Sequence, residues 1–224
     1  VSYQRHTQAP YLKIKELIDT GRIGTVEMIV ALQNQSWYAG QMRRARSGDV
    51  PWRMQAHLSG GGQLNDSGSH LVDILLHVTG LEPAQVYAAQ QSFDATVDVN
   101  SAVAVRFTSG AQASLSIVGN APGISSAVWE DVTIYGSEGA IYYRMMGQPG
   151  FEPWVELRRI GQNEPEDMGP LPEGTTPDQH FVDVIRGRAV NLAPAECGLR
   201  VMQLTEAAWK SAETGAAVAV SSLG

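Results

Sequence analysis

Apolar positions near the start of the chain fall first at helical spacing and then alternate. In "APYLKIKELIDTGRIG", Leu12, Ile14, Leu17 and Ile18 follow a mostly helical period, and Gly21 supplies a stop. "TVEMIVALQNQSW" alternates and predicts one long strand. Residues 37–58, rich in Arg, Gly and Ser, read as a loop. "SGGGQLNDSGSHLVDILLHVTG" then runs from three glycines into a helix that carries the stripe Leu71, Ile74, Leu75, Val78 and stops at Gly80.

Beyond Gly80 the period shortens. "AQVYAAQQSF", "NSAVAVRFTSG", "AQASLSIVGN", "AVWEDVTIYGSEG", "AIYYRMM" and "PWVELRRIG" are β-rich runs separated by turn residues, which predicts a meander of antiparallel strands with hairpin turns at "TSG" and "GSEG". Residues 161–179 are acidic and proline-rich, hence an exposed loop. Two helices follow, "PDQHFVDVIRGR" with Pro177 in its first turn and "APAECGLRVMQLTEAAWKSAETG" stopped by Gly215, before a last short strand, "AAVAVSS". Strands grouped with strands and helices with helices predict an α+β domain: a large, mostly antiparallel open sheet with helices packed on one face. No β-α-β unit opens on G-x-G-x-x-G, because Gly60 and Gly62 are followed by Asn65 where the third glycine belongs.

Composition narrows the classes. The 224 residues are long for one domain at about 150 per domain. They can bury a sizeable core unaided. A net charge of −7 argues against nucleic acid or an anionic membrane as partner. No apolar run approaches the roughly 18 residues of a membrane span. The single cysteine, Cys197, excludes an internal disulfide framework and a multi-cysteine zinc site, and a reducing cytoplasm is the default location. Cys197 has apolar neighbours and no histidine close by in sequence, so it reads as buried and inert. The chain opens at Val1 inside what reads as a strand end, "VSY", which predicts a piece of a longer protein or a trimmed chain.

Candidate chemistry centres on Asp66 and His70, one helical turn apart, with Asp73 and His77 at the same spacing further on. A histidine that titrates near neutrality, beside a carboxylate that orients its ring, suits proton removal from a hydroxyl. The same spacing also arises in a capped core helix or a metal site, the latter with His180 as a third ligand. Asp73, His77 and His6 read as structural. Arg43, Arg44, Arg46 and Arg53 with Trp52 could line an anion-accepting pocket or form a solvated surface, and His180 could enter the site from the following helix.

These residues carry a resemblance. "YQRHTQAPYLKIKELIDTGRIGTV", "WRMQAHLSGGGQLNDSGSHLVD" with its Asp-x-x-x-His-x-x-Asp, "VAVRFTSGAQASLS", "VTIYGSEGAIYY" and "FVDVIRGRAVNLAPAECGLRVMQLTEAAWKSAETGAAVAV" occur in the order in which the C-terminal part of the Gfo/Idh/MocA oxidoreductases carries similar segments. The resemblance implies a glyceraldehyde-phosphate-dehydrogenase-like C-terminal domain spanning residues 1–224, for substrate binding and oligomerisation. The parent would be an NAD(P)-dependent dehydrogenase of a sugar, polyol or related hydroxy compound. His70 would be the acid/base and Asp66 would orient substrate or histidine, with Trp52, Arg53 and His180 on the substrate wall and no metal. NAD or NADP would bind an N-terminal Rossmann domain that is absent here, along with the family's Glu-Lys-Pro lysine. The chain alone is therefore expected to be inactive and to hold no cofactor tightly. The open sheet face would form a homodimer or homotetramer. The competing reading is a stand-alone, non-catalytic ligand-binding or oligomerisation module.

Overall fold

The computed structural model describes residues 1–122, 128–147 and 150–220. Ala127, at the start of one expected strand, and Ser221 and Ser222, at the end of the last, lie outside the described residues. Eight strands form one sheet: β1 (Val26–Asn34), β2 (Pro83–Gln91), β3 (Asn100–Phe107), β4 (Gln112–Val118), β5 (Trp129–Gly136), β6 (Gly139–Met146), β7 (Trp154–Arg159) and β8 (Val218–Ala219). Their spatial order is β7-β6-β5-β1-β4-β3-β2-β8. The expected meander is thus split. β1 lies between β4 and β5, parallel to the first (Ala31 opposite Leu115) and antiparallel to the second (Ala31 opposite Val132). An alternating pattern specifies the two faces of a strand but not its neighbours, so this insertion was not visible in the segment itself.

Alternation does set the layers. Ile29 and Ala31 of β1, Val103 and Val105 of β3, Leu115 and Ile117 of β4, and Val132 and Ile134 of β5 are buried in one core. Val30 and Tyr135, next to these in sequence, and Tyr87, between the buried Val86 and Ala88 of β2, stand on the opposite, uncovered face. The covering helices are α1 (Ala9–Asp19), α4 (Gly68–Thr79) and α6 (Ala195–Thr214), with α4 packed between the other two. All four stripe residues of α4 are buried, and Gly80 and Gly215 close their helices in the left-handed conformation. On α1 the stripe uses Tyr11, Ile14 and Leu17, with Leu12 only half-buried.

Three local expectations are corrected. Residues 37–58 are not one loop: they hold α2 (Trp37–Arg46), a 3-10 turn at Trp52–Met54 and the one-turn α3 (Ala56–Ser59). Only Trp37 and Gln41 of α2 are buried, so it has no apolar stripe to read. "VSY" is not strand, and a 3-10 turn at Gln4–Thr7 follows it. The final strand is two residues long and pairs with β2. The remaining helix, α5 (Pro177–Ile185), starts with Pro177 and is capped by Thr176, whose Oγ1 accepts from the Gln179 amide at 3.2 Å.

Candidate functional site

The triple glycine shapes the approach to α4. Gly60, in the left-handed region at φ 75°, ends α3. A side-chain carbon on Gly61 would lie 2.3 Å from Trp209, and one on Gly62 would lie 1.9 Å from the Asp98 carbonyl oxygen. The space beside Gly61 and Gly62 is therefore filled by the protein, and these two are required for close packing rather than for ligand clearance. The buried Asp98 carboxylate accepts from the amides of Gly62 (3.2 Å) and Leu64 (2.7 Å) and from Trp209 Nε1 (3.1 Å). With their space and amides already taken, these residues do not fit the phosphates of a dinucleotide, which need close backbone approach and free N–H groups.

The chain then turns through residues 63–67, so Asp66 precedes α4 rather than riding on it. This turn is tied to the sheet: Gln33 Nε2 of β1 donates to Ser67 Oγ at 2.6 Å. The Asp66 carboxylate accepts from Trp37 Nε1 at 2.8 Å and pairs with Arg53 Nε at 3.1 Å. The Arg53 guanidinium lies 4.1 Å above the Trp52 ring. Asp66 thus joins α4's entrance to α2 and the Trp52–Met54 turn. It makes no hydrogen bond to His70 among the described residues.

His70, in the first turn of α4, is half-buried. Its Nδ1 is enclosed and has no hydrogen-bond partner, and the Tyr3 ring meets its edge at 5.4 Å between centroids. Burial, and next the Arg5 guanidinium, hold its pKa below the ordinary 6.5, against weaker pulls from Asp73 and Asp66. The neutral imidazole, able to accept a proton, is favoured. His70, Asp66 and Arg53 line one cavity of about 390 Å³ with Arg5, Gln41 and Arg44. Trp52 is not on its wall.

His180 is elsewhere. It lines a second cavity with Tyr3, His6 and Phe181, and its Nε2 accepts from the Leu192 amide at 3.4 Å. The metal set Asp66, His70 and His180 is therefore not assembled. Among the described residues the only cluster with metal-ligand chemistry is His6, Asp73 and Cys197, with ligand atoms within 4.8 Å of one another. This also corrects the expectation for Cys197, which is half-buried and has a histidine beside it; burial and Asp73 push its thiol pKa up. In that cluster His6 Nε2 lies 2.5 Å from Asp73 Oδ2 and Nδ1 lies 2.5 Å from the Leu192 carbonyl oxygen. Both ring nitrogens face an oxygen of the protein, so neither is left over for a ligand.

Sequence reasoning missed Tyr3, Arg5, Asp98 and Glu130. Arg5 pairs with the fully buried Glu130, which also accepts from the Tyr11 hydroxyl at 2.9 Å. Burial raises the Glu130 pKa while Arg5 and Tyr11 oppose the rise. The only trace in the sequence was a glutamate at an inward position of β5. No helix among the described residues is long and apolar enough to cross a membrane.

Known proteins resemble this chain in sequence or in fold. Oxidoreductase P35 of Formosa agariphila is 32% identical over 80 residues, covering 36% of this chain and 24% of that protein. The aldose-aldose oxidoreductase of Caulobacter crescentus, solved with glycerol, superposes with a TM-score of 0.74 at 20% identity over 97% of this chain and 62% of its own. The WlbA dehydrogenase of Bordetella pertussis, solved with NADH and UDP-GlcNAcA, gives the same TM-score, identity and coverage. The chain thus spans less than two thirds of these relatives. The GFO/IDH/MocA C-terminal domain family matches residues 11–142, more than half of the sequence, in the stretch that carries β1, the glycine turn, α4 and β2–β5. The chain belongs to the GFO/IDH/MocA C-terminal domain family.

Proposed function

We propose that the chain is the substrate-binding and acid/base half of an NAD(P)-dependent oxidoreductase acting on a hydroxyl of a sugar, polyol or related compound. The observation that carries this is His70: a histidine biased toward its neutral form, on the wall of an open polar cavity, with no protein hydrogen bond to either ring nitrogen among the described residues. Nδ1 is enclosed, so Nε2 is the atom that exchanges a proton with the substrate hydroxyl as the attached carbon is oxidised or reduced. Asp66, fixed by Trp37 and Arg53, has carboxylate lone pairs left to accept from substrate hydroxyls and acts as an orienter of substrate. The nicotinamide dinucleotide that exchanges the hydride would be held by residues outside this chain, since the glycine turn is already filled.

NADH was present in the B. pertussis structure and in a levoglucosan dehydrogenase structure of TM-score 0.71. Those ligands support the cofactor class. The uncovered sheet face, with Val30, Tyr87 and Tyr135 exposed, suits a homodimer or homotetramer interface. The test is a screen of sugars and polyols for NAD(P)-linked oxidation by the longer parent, with His70→Ala and Asp66→Asn as controls. Activity lost in His70→Ala and weakened in Asp66→Asn is the expected result. Full activity in both variants would remove the assignment.

A further inference from the structure

The charge around the His70 cavity is lopsided for a protein of net charge −7. Its wall carries three guanidinium groups, Arg5, Arg44 and Arg53, against one carboxylate, Asp66. Arg53 is matched by Asp66, and Arg5 is partly matched by Glu130 behind it. Arg44 has no carboxylate partner among the described residues. The cavity continues along α2 into a hollow of about 620 Å³ lined by Gly40, Arg43, Arg44 and Ser47, and Arg43 is likewise without an acidic partner there. The two hollows share Gln35, Trp37, Gln41 and Arg44, so they form one groove.

Three polar atoms of this wall are left over. Arg5 Nη1, Gln41 Oε1 and His70 Nδ1 are enclosed and have no hydrogen-bond partner. Arg5 is more than nine-tenths buried, with 7% of its surface exposed. Its Nη2 is paired with Glu130, so Nη1 alone is the idle end of a buried guanidinium, and an unpartnered buried N–H is costly. Two more guanidinium groups from α2, Arg43 and Arg44, both line the outer hollow. Arginine forks match planar or tetrahedral oxyanions by paired N–H bonds.

We infer that the groove takes a substrate bearing a carboxylate or phosphate group, its anionic end between Arg44 and Arg43 and its reacting hydroxyl at His70. This rests on the acid/base reading of the same cavity and narrows its substrate class to acidic sugars or hydroxy acids. A neutral polyol would leave Arg43 and Arg44 without a partner, whereas a carboxylate or phosphate gains charge-assisted hydrogen bonds to them. Arg5, deeper and already paired on one side, adds to burial in lowering the pKa of the nearby His70.

The test is calorimetric titration of this chain with D-glucuronate, D-glucose 6-phosphate and D-glucose, at low and high salt. At least one acidic probe should bind roughly tenfold or more tightly than D-glucose, a difference of about 1.4 kcal/mol, and the preference should shrink at high salt. The probe that binds better tells carboxylate from phosphate. The exposed pair allows a clean variant: Arg43→Ala with Arg44→Ala should abolish the preference, and Arg43→Lys with Arg44→Lys should restore part of it. Equal binding of D-glucose, no binding of either acidic probe, or a preference that survives the double alanine variant would each overturn the inference. The acid/base reading is judged separately. If the acidic preference fails while His70→Ala still abolishes oxidation by the parent, the catalytic assignment stands. If the preference holds and His70→Ala is fully active, the anion site stands and the catalytic assignment falls.

Discussion

Two histidines touch one tyrosine ring and end in opposite situations. The Tyr3 ring stacks on His6 at 6.4 Å and meets the edge of His70 at 5.4 Å. His6 is 1% exposed and has an acceptor on each nitrogen, a carboxylate and a carbonyl. His70 is half-buried and faces a cavity, and its ring makes no hydrogen bond among the described residues. Burial and hydrogen bonding together describe a structural group, because every proton it carries is already shared. Chemistry needs the reverse: a ring held by packing, with a nitrogen to spare. Neither acid within one turn of His70 in sequence hydrogen-bonds it, since Asp66 serves Trp37 and Arg53 while Asp73 serves His6, which comes from another part of the chain.

The contrast can be broken from either side. With His70 as the proposed acid/base, His70→Ala in a longer protein that carries this chain should reduce kcat/KM by roughly 10²- to 10⁴-fold, the usual worth of a general acid/base, measured by steady-state kinetics with a much smaller stability change. Asp73→Ala leaves a buried nitrogen of the His6 ring without its hydrogen-bond partner and should cost about 1–3 kcal/mol of stability, read from urea unfolding. If it proves as mild as His70→Ala, the two histidines are not different in kind. Gly62→Ala probes the support beneath both, since its new methyl would strike the Asp98 carbonyl oxygen; a loss of about 1–3 kcal/mol is expected, by thermal or urea unfolding.

The smallest effect concerns a third ring. His77 stacks on His6 at 3.9 Å between centroids. Burial, then the charges of His6 and Lys15, push its pKa down to about 4. The unfolded chain therefore binds a proton near 6.5 that the folded chain refuses until about 4. Stability from this group is intact above 6.5 and declines as pH falls through that window. His77→Phe should flatten the slope of the thermal midpoint between these pH values, and an unchanged slope would place the effect on other groups.

Much of the fold was legible. Alternation marked most of the strands, and glycine stops with an apolar stripe marked α4 and the end of α6, because each of these signals lies within one segment. Parts that depend on distant segments were hidden. The parallel pairing of β1 with β4, the Arg5–Glu130 pair and the approach of Cys197 to His6 join residues 84 or more apart in sequence. α2 escaped because Gly40 and its four arginine and glutamine neighbours give no apolar period. Of the candidate site, His70, Asp66 and Arg53 do share a cavity. His180 and Trp52 do not line it, since α5 sits against the N-terminal turn and the Trp52 ring is occupied by Arg53.

The placement of β1 also fixes an order of events in time. Its two partners, residues 112–118 and 129–136, emerge from the ribosome long after it does. β2–β4 and β5–β7 can zip as local hairpins, whereas β1 must wait as a lone apolar strand before it bridges them. Pulse-labelled hydrogen exchange during refolding should therefore find the β1 amides protected last. Until that moment the two halves of the sheet are separate bodies, and the site, tied to β1 through Gln33 and Ser67, does not yet exist.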